Sequence, residues 1–559
     1  MKSKITIYLA AALVFLASCN KQLNPLLTDP SKPSPAAADN DLYLNNIQLR
    51  FREFFQDATD LSDQLVRQEV MFGPTYYNAF SPTSFDDIWN KAYVDIFLSA
   101  NTMVPQAEAK TQYIHAGIAQ ILKAYTMVTL VDLFGDIPYS EATKGVANTN
   151  PKVDPGKAIY DSALALLDSG IANMARKTSA TPTPSNDLFY GGDGTAWTKL
   201  AKTLKLKTYM QERRTDASVA SKISALIAED DLINAPKYDF VYSYSTHAVS
   251  PDARHPHYGS NYGASTGTSD YIGTYFMWAL QKDKSMPDPR TRYYLYRQID
   301  DINNDARLPD QTTTQFAIPC LYRSSPYPPT TCYCIVGTGY LGRDHGNNEG
   351  IPPDGALRTT WGVYPAAGEF DANQNLPAGT GGKQVHGAGG NGINPIWLSS
   401  YTYFLKAEAA LVLGAGGDAK DWLTKGVNAS FSKVAGFPAA IGYTLPTTDT
   451  NFLITPYKQS KYVGIVQGLY DGASSDDDKL NVIMKEYYLA AWGDGVEAYN
   501  NYRRTGKPDN FQPALGGNAG SFIRSFFYPS VYVTYNKNAA QKSTVDVKVF
   551  WDNNTDNLK

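Results

Sequence analysis

Apolar residues between Tyr113 and Phe134 recur at steps of three and four, which is the spacing of one face of an α-helix. The large members of this pattern are Ile114, Ile118, Ile121, Leu122, Tyr125 and Val128. Alanines between them keep the other sides thin, so that neighbouring helices can approach closely. Gly135 can adopt a left-handed conformation, and Pro138 cannot continue a helix. The pattern predicts a central packed helix with a sharp end at Gly135.

Helical periodicity recurs along most of the chain and is interrupted by short breaks. The predicted helices cover residues 41–71, 85–108, 156–174, 195–213, 217–229, 398–413, 419–434 and 476–504. The last of these is closed by Gly506 and Pro508. Helices joined by short breaks favour antiparallel pairs, so the fold is predicted to be mainly α. The sequence shows no clean 34-residue repeat with the tetratricopeptide signature.

Two long segments, residues 236–268 and 300–397, interrupt this helical pattern. They are rich in Gly, Pro, Tyr, Asn and Asp and have little helical periodicity. Loops of this length within a compact domain are usually functional or disordered. We therefore interpret both segments as irregular insertions carried by the helices.

The first 18 residues have the pattern of a bacterial lipoprotein signal peptide. Two lysines precede an apolar run from Ile5 to Leu16, and the sequence Leu16-Ala17-Ser18-Cys19 fits the cleavage site of such a signal. We expect cleavage before Cys19 and lipidation of that residue, since several acyl chains together give a durable anchor. A plain signal peptide is the alternative. Residues 19–40 are rich in Pro, Asp, Ser and Ala and are predicted to form a tether.

Composition narrows the choice of ligand. The chain has 50 basic and 54 acidic residues among its 559, a net charge of -4, so it cannot hold a nucleic acid by bulk electrostatics. It also has 39 tyrosines. Tyrosine combines an apolar ring with a polar tip, which suits a surface that is both hydrated and adhesive.

Several segments match the residue patterns of catalytic or metal-binding motifs but lack the flanking elements or ligands that those motifs require. Gly263-Ala264-Ser265-Thr266-Gly267 has loop residues on both sides where a nucleophile elbow needs a strand and a helix. Gly387, Gly389 and Gly392 have the dinucleotide spacing but precede Asn394-Pro395. Asp301-x-Asn303-x-Asp305 lacks the glycine and the closing glutamate of a calcium loop. His255 and His257 have no partner at zinc spacing. We predict no catalytic residues, no metal and no cofactor.

Three cysteines follow the lipidation site. In an oxidising compartment a bridge between Cys320 and either Cys332 or Cys334 is favoured, because one between Cys332 and Cys334 would be strained. Such a bridge would stabilise the fold by about 3 kcal/mol. Three unpaired thiols are the alternative, since the pairing cannot be read from a sequence.

The loop from Tyr340 to Tyr364 combines aromatic rings with planar polar side chains. Sugar rings stack their apolar faces on aromatic rings and donate hydroxyl hydrogen bonds to planar groups. The candidate ligand-binding residues in this loop are Tyr340, Arg343, Asp344, Asn347, Asn348, Trp361 and Tyr364. Tyr76, Tyr77, Tyr275 and Trp278 form a second rank, whereas Trp89, Trp197, Trp397 and Trp492 lie at helical spacing and are predicted to be core. The alternative for Trp361 and Tyr364 is that they pin the loop to the scaffold.

Four segments share a recognisable pattern in a fixed order. They are LFGDIPYSEA at 133–142, DLFYGGDGTAWTKLAKTLKLKTYM at 187–210, YTYFLKAEAALVLG at 401–414 and MKEYYLAAWGDGVEAYNNYRRTGKP at 484–508. In this order they resemble the SusD/RagB family of outer-membrane nutrient-binding lipoproteins. The second departs from that pattern, because residues 202–207 read Lys-Thr-Leu-Lys-Leu-Lys where the family more often has Asn-Ser-Leu-Lys-Leu-Arg.

The resemblance implies an architecture and a role. It implies a tetratricopeptide-like scaffold of helix pairs, with residues 41–559 as a single binding domain that carries both insertions. It also implies a non-enzymatic protein, lipid-anchored to the outer membrane at the cell surface, that binds oligosaccharides. Its partner would be a SusC-like TonB-dependent transporter. The face of the membrane is left open, because no acidic residue follows Cys19 before Asp29.

Three other functions are alternatives to this one. Relatives that capture oligopeptides make a RagB-like peptide-binding protein the first alternative. An exported hydrolase would need two carboxylates at glycosidase spacing in one pocket. A helical-repeat assembly scaffold would have an insertion face without a pocket.

Overall fold

The structure, a computed structural model, describes residues 39–263, 268–299, 333, 339–347, 355–374, 378, 386–515 and 518–559. Its N-terminal half is helical. The helices are α1 (Asn40–Leu65), α2 (Asp86–Asn90), α3 (Leu98–Ala109), α4 (Tyr113–Phe134), α5 (Gly156–Ala175), α6 (Gly194–Glu212) and α7 (Val219–Glu229). A π-helical segment, Lys91–Phe97, joins α2 to α3. From α3 to α7 each helix packs on the next, which gives the expected helix pairs.

Helix α4 is the packed central helix that the sequence predicts. All its residues except Tyr113 and Lys123 are buried. By length and composition α4 could cross a membrane, but 94% of its most apolar window lies inside the protein, as in a core helix. It ends at Gly135, which has a φ of 77° and donates its N–H to the carbonyl of Val131 at 2.8 Å. The predicted end is confirmed.

The two predicted insertions and the segment between them contain short regular elements. These are β1 (Phe240–Ser243), α8 (Pro256–Tyr262), α9 (Thr274–Gln281), α10 (Thr291–Tyr294), β2 (Leu295–Tyr296), β3 (Thr360–Trp361) and β4 (Ile393–Trp397). Strand β1 pairs antiparallel with β4, from Phe240 opposite Trp397 to Ser243 opposite Ile393. Strand β2 pairs antiparallel with β3. The first sheet therefore ties the end of the second insertion to the start of the first.

Helices resume in the C-terminal half. They are α11 (Ser399–Leu413), α12 (Ala419–Ala440), α13 (Pro456–Asp471), α14 (Asp476–Ala490), α15 (Gly495–Thr505) and α16 (Ser530–Tyr535). The prediction of one helix over 476–504 is wrong, because the chain breaks between α14 and α15. Gly493 there has a φ of 93°, and Asp494 caps α15 by accepting the N–H of Glu497. Helix α13 was not predicted.

One hydrophobic core cluster contains residues from Leu44 near the start of α1 to Leu558 near the C-terminus. Helix α15 packs on α1, and the contact is close. A Cβ atom on Gly495 would lie 2.3 Å from Oδ1 of Asp63, so only glycine allows α15 to start there. The fold is thus mainly α, with a tetratricopeptide-like scaffold of helix pairs that carries long insertions.

Candidate functional site

Trp361, the leading predicted stacking residue, lies in β3 and is fully buried. Its ring stacks on those of His257 and Trp492, with 4.0 Å between centroids in each case. The indole N–H donates to Oε1 of Glu69 at 2.9 Å. A ring that packs against other rings in the core offers no open face to a sugar. The structure places Trp361 in the core, as the alternative of a loop anchor predicts.

The other aromatic candidates of this loop are also buried. Tyr364 stacks on Tyr294 with 5.6 Å between ring centroids. Tyr340 donates its hydroxyl to Oδ2 of Asp371 at 3.1 Å, and its ring lines a cavity of about 320 Å³. Burial raises the pKa of both tyrosines. The expected aromatic platform is therefore not presented at the described surface, and a ligand role for either ring stays a prediction.

The second-rank aromatic candidates divide by exposure. Tyr275 is buried and donates its hydroxyl to Asn510 at 2.8 Å. Tyr76 is buried as well, whereas Trp278 is half-buried. Tyr77 is 55% exposed and lines a cavity of about 310 Å³. Of this group, only Tyr77 presents most of its ring to solvent.

The polar candidates of the loop point into the protein. Arg343 lies over the ring of Tyr271, with its guanidinium carbon 4.7 Å from the centroid. Asp344 accepts a hydrogen bond from Gln512 at 2.7 Å, and burial raises the pKa of its carboxyl. Asn347 is buried and donates its backbone N–H to the carbonyl of Asp344. These contacts hold the loop in place. The role of these residues in ligand binding stays a prediction.

Several predicted features lie outside the described residues. They are the signal peptide, Cys19 with its lipid, Asn348, the Asp301 to Asp305 segment and Cys320, Cys332 and Cys334 with their possible disulfide. All of them stay predictions.

His257, one of the two paired histidines, lies in a cluster of carboxylates. Its Nδ1 is 2.9 Å from Asp270, and its Nε2 is 3.3 Å from Asp60. Glu69, His257 and Asp270 each have one oxygen or nitrogen atom within 4.8 Å of the other two, which is close enough for the three to hold a metal ion. Burial acts to lower the pKa of His257, but the carboxylates of Glu69 and Asp60 outweigh it and raise the pKa well above 6.5. A protonated ring donates from both nitrogens, whereas only a neutral ring has a lone pair for a metal. The described contacts of the cluster are those of an ion-pair network.

The glycine motifs lack the helices that their functions require. The described part of the nucleophile-elbow motif, Gly263, directly follows α8, whereas a nucleophile elbow follows a strand. Gly387 and Gly389 have positive φ angles, and the chain continues from them into β4. A Cβ on Gly387 would lie 2.0 Å from the carbonyl oxygen of Gly368, so this glycine serves close backbone packing. No phosphate cradle is formed here.

An open groove of about 390 Å³ lies between α2, α16 and the loop that follows α4. Its volume falls within the usual range for ligand sites. Its lining combines four aromatic residues, Trp89, Tyr93, Tyr532 and Tyr535, with the amides of Asn90, Asn148 and Asn536. Among the described residues, no carboxylate lines it. This groove, which is absent from our sequence predictions, has the aromatic and amide chemistry that we expected of the Tyr340 to Tyr364 loop.

The aromatic rings of the groove form a ladder. Trp89 lies between Tyr93 and Tyr532, at centroid distances of 4.6 and 4.7 Å and an interplanar angle of 31° in both cases. Tyr535 follows one helical turn after Tyr532 and is 77% exposed. Trp89 and Tyr532 form the buried floor, and Tyr535 presents an open ring face at the edge. A sugar ring can stack on such a face without displacing protein.

The opposite rim of the groove is the loop that follows α4. Asp154 holds this loop by accepting the N–H groups of Tyr139 and Ser140 at 2.8 and 2.7 Å and the hydroxyl of Ser140 at 2.7 Å. Burial acts to raise the pKa of Asp154, but these hydrogen bonds outweigh it and lower the pKa below 3.8. The LFGDIPYSEA segment therefore shapes the groove, since Pro138 and Ala142 line it.

Sequence reasoning missed the groove for a specific reason. Trp89 lies at helical spacing and was assigned to the core, and its burial confirms that assignment. Its edge nevertheless lines the groove. Tyr532 and Tyr535 lie more than 400 residues away in sequence, in a short helix without strong periodicity. The local signal was the cluster of aromatic residues in YPSVYVTY, at 528–535.

Two protein families match the chain. The family described as "Starch-binding associating with outer membrane" matches residues 35–307, and the one described as "Susd and RagB outer membrane lipoprotein" matches residues 390–554. Together they cover more than three quarters of the chain. Among curated proteins, none matches it.

Solved structures of proteins from Bacteroides and Flavobacterium share the fold. A SusD/RagB family protein of Bacteroides thetaiotaomicron has a TM-score of 0.67 and 19% identity, covering 93% of this chain and 100% of that one. A SusD homolog of Bacteroides fragilis has a TM-score of 0.63 and 17% identity, covering 92% and 99%. A chitin-binding SusD homolog of Flavobacterium johnsoniae has a TM-score of 0.62 and 19% identity, covering 92% and 99%.

Proposed function

This chain belongs to the SusD/RagB family, and we propose on that premise that it is an outer-membrane lipoprotein that binds oligosaccharides in the groove between α2 and α16. It then delivers them to a SusC-like TonB-dependent transporter. The proposal has three parts, which are the ligand, the location and the partner. They rest on different observations.

The exposed ring of Tyr535 and the exposed amide of Asn90, in the lining of the same groove, are the observation that carries the ligand class. Tyr535 offers its face to the apolar side of a sugar ring, while the amide of Asn90 can donate to and accept from hydroxyl groups. The chitin-binding relative supports the same class of ligand. The volume of about 390 Å³ accommodates a short oligosaccharide segment rather than a long chain.

The location is supported by two independent features. The sequence before Cys19 fits a lipoprotein signal, and both matching families are described by their association with the outer membrane. A lipid anchor followed by a Pro-rich tether would hold the folded part close to the membrane. The transporter partner rests on the family resemblance alone.

A hydrolase is the alternative that the groove argues against. Glycosidases place two carboxyl groups about 5 to 10 Å apart on either side of the bond that they cleave. No carboxylate belongs to the described lining of this groove. The described lining of the groove therefore lacks the pair of carboxyl groups that most glycosidases use. An oligopeptide ligand stays the first alternative, because peptide side chains also stack on tyrosine.

The test is calorimetric titration of the mature chain without its lipid. One panel holds oligosaccharides of three to six units derived from starch, chitin and xylan, and the other holds peptides of matched length. The proposal expects saturable binding of at least one oligosaccharide. Binding of the peptides alone would mean that the ligand is a peptide. Release of reducing ends during the titration would mean that the protein hydrolyses glycans.

A further inference from the structure

A second cavity, of about 380 Å³, adjoins the aromatic groove and has a more polar lining than the groove. The two share Ala142, Thr143 and Lys144 in their walls. The walls of the second cavity also include Lys123 from α4 and Asn101 from α3. The two cavities therefore adjoin along this loop, and a ligand that crosses the loop would occupy both. We refer to it below as the lysine cavity.

Lys123 has few partners for a half-buried cation. Its ammonium carries three N–H donors, and Oδ1 of Asn101 accepts one of them at 2.6 Å. The charge lies 5.3 Å from the ring centroid of Tyr139 and 5.9 Å from that of Phe97. Among the described residues, no carboxylate forms an ion pair with it, and burial alone lowers its pKa to about 8. Two donors of the ammonium are thus available to a ligand.

Three buried lysines in the described part of the chain have either a carboxylate partner or a full set of hydrogen-bond acceptors. Lys207 lies 2.6 Å from Glu497, and Lys284 lies 3.0 Å from Glu486. Lys542 has no carboxylate partner but donates three hydrogen bonds, to the carbonyls of Phe134 and Phe526 and to the hydroxyl of Ser525. Lys123 differs from these because its remaining donors border a cavity rather than protein acceptors.

The surroundings of the lysine cavity favour a negative charge. Exposed Lys144 adds a second cation to the wall of this cavity. Asn101 donates its amide N–H to Oγ1 of Thr143 at 2.8 Å, and this bond fixes the orientation of the Asn101 oxygen that accepts from Lys123. The carboxylate of Glu141, on the same loop, is occupied by the backbone N–H of Lys152 at 3.1 Å and by the amide of Asn148. A desolvated cation without a counter-ion binds an anion more strongly than a solvated surface lysine does.

We propose that the lysine cavity binds the acidic substituent, a carboxylate or a sulfate ester, of an oligosaccharide whose sugar rings lie in the aromatic groove. This inference rests on the proposed function, and it narrows the ligand to acidic glycans such as uronic-acid or sulfated oligomers. Lys123 and Lys144 would hold the acid group, and the described groove supplies no carboxylate that would repel it.

The test compares ligands that differ only in charge. The probes are a galacturonate trimer with its methyl ester and a sulfated galactose oligomer with its desulfated form. We expect at least one acidic probe to bind about tenfold or more tightly than its neutral form. Lys123→Gln should abolish that difference and Lys123→Arg should keep it, whereas Lys110→Gln, which removes an exposed charge at the far end of α3, should leave it unchanged.

The possible results distinguish failure of the acidic-ligand inference from failure of the glycan proposal. Equal affinities for both members of each pair, or a difference that survives Lys123→Gln in a variant that melts like wild type, would overturn the acidic-ligand inference alone. The glycan proposal would then still stand on the neutral forms. Failure of every oligosaccharide to bind contradicts both. Lys123-dependent binding of an acidic hexapeptide, without any oligosaccharide binding, would replace the ligand by a peptide.

Discussion

Trp361 shows how residue type and residue position give different information. An indole in a Gly-rich loop has the right chemistry for stacking on a sugar, but this one packs between His257 and Trp492 in the core. Tyr535 has a smaller ring for stacking on a sugar than a tryptophan does, but its ring is exposed to solvent. Solvent exposure depends on which distant segments pack on a side chain, and no local pattern in the sequence encodes that.

Replacing Trp361 should therefore affect stability rather than affinity. Trp361→Ala removes a fully buried ring and leaves Glu69 without its indole donor, which should cost about 3–5 kcal/mol of unfolding free energy. Chemical denaturation and thermal melts measure this loss. A variant that melts like wild type but binds its oligosaccharide more weakly would show that Trp361 contacts the ligand.

The ion-pair network around His257 should make stability depend on pH. Because the folded-state pKa of His257 is raised, its stabilisation is complete below about pH 6.5 and is lost as the pH rises through the folded value. Burial raises the pKa of Glu69 to about 8. Between pH 4.5 and 8 the folded protein therefore keeps a proton on Glu69 that the unfolded chain has released, and stability falls as the pH rises through this range. Burial lowers the pKa values of His255 and His345, so their effect on stability is opposite to that of His257. They reduce the stability of the folded protein as the pH falls below about 6.5.

The difference between wild type and His257→Gln isolates the contribution of His257. We expect wild type to be the more stable near pH 6 and its advantage to shrink toward pH 9, since one pKa unit corresponds to about 1.4 kcal/mol. Urea denaturation midpoints at five pH values measure the trend. A stability difference that stays constant from pH 5 to 9 would mean that His257 is neutral in the folded protein.

At the scale of elements, strong hydrophobic periodicity predicted helices correctly, but weak periodicity did not mean that a helix or strand was absent. Helix α4 and its end at Gly135 follow from spacing and capping chemistry. Helix α13 escaped prediction because its apolar positions are few, and only Tyr462, Val466 and Tyr470 are buried. The break between α14 and α15 was hidden by the apolar residues on both sides of it, although Gly493 and the capping Asp494 marked it. Strands β2 and β3 are two residues long, below the length at which alternation can be read.

The loop after α4 is the element whose geometry the groove needs. Asp154→Ala would remove the acceptor for the N–H groups of Tyr139 and Ser140 and should cost about 1–3 kcal/mol of unfolding free energy. Because Pro138 and Ala142 line the groove, ligand affinity should fall in the same variant. Asp154→Asn keeps one acceptor oxygen and should show intermediate losses. Unchanged affinity in a destabilised Asp154→Ala variant would mean that the loop does not shape the ligand site.

At the scale of the whole molecule, the family and the helix-pair scaffold could be predicted from four ordered segments. The ligand groove could not, because α2 and α16 come from opposite ends of the chain and their meeting depends on the packing of everything between them. The predicted platform relied on a single loop, whereas the groove takes its lining from three separate parts of the sequence.

The lipid anchor is a property of the whole molecule that lies outside the described residues. Cys19→Ala removes the only acylation site that the sequence predicts, and neither the tether nor the helical scaffold is predicted to insert into a membrane. The variant should therefore move from the membrane fraction to the soluble fraction. Quantitative immunoblotting of both fractions measures the shift. Retention of the variant in the membrane at the wild-type level would contradict the lipid anchor.

The most direct test of the account is the affinity of an oligosaccharide for two matched tyrosine variants. Tyr535 and Tyr457 are 77% and 74% exposed, but only Tyr535 lines the groove. Calorimetric titration with the tightest-binding oligosaccharide should show a loss of about tenfold or more for Tyr535→Ala, roughly 1.4 kcal/mol, and wild-type affinity for Tyr457→Ala. Both variants should melt like wild type. Wild-type affinity in Tyr535→Ala would contradict the assignment of the groove as the glycan site.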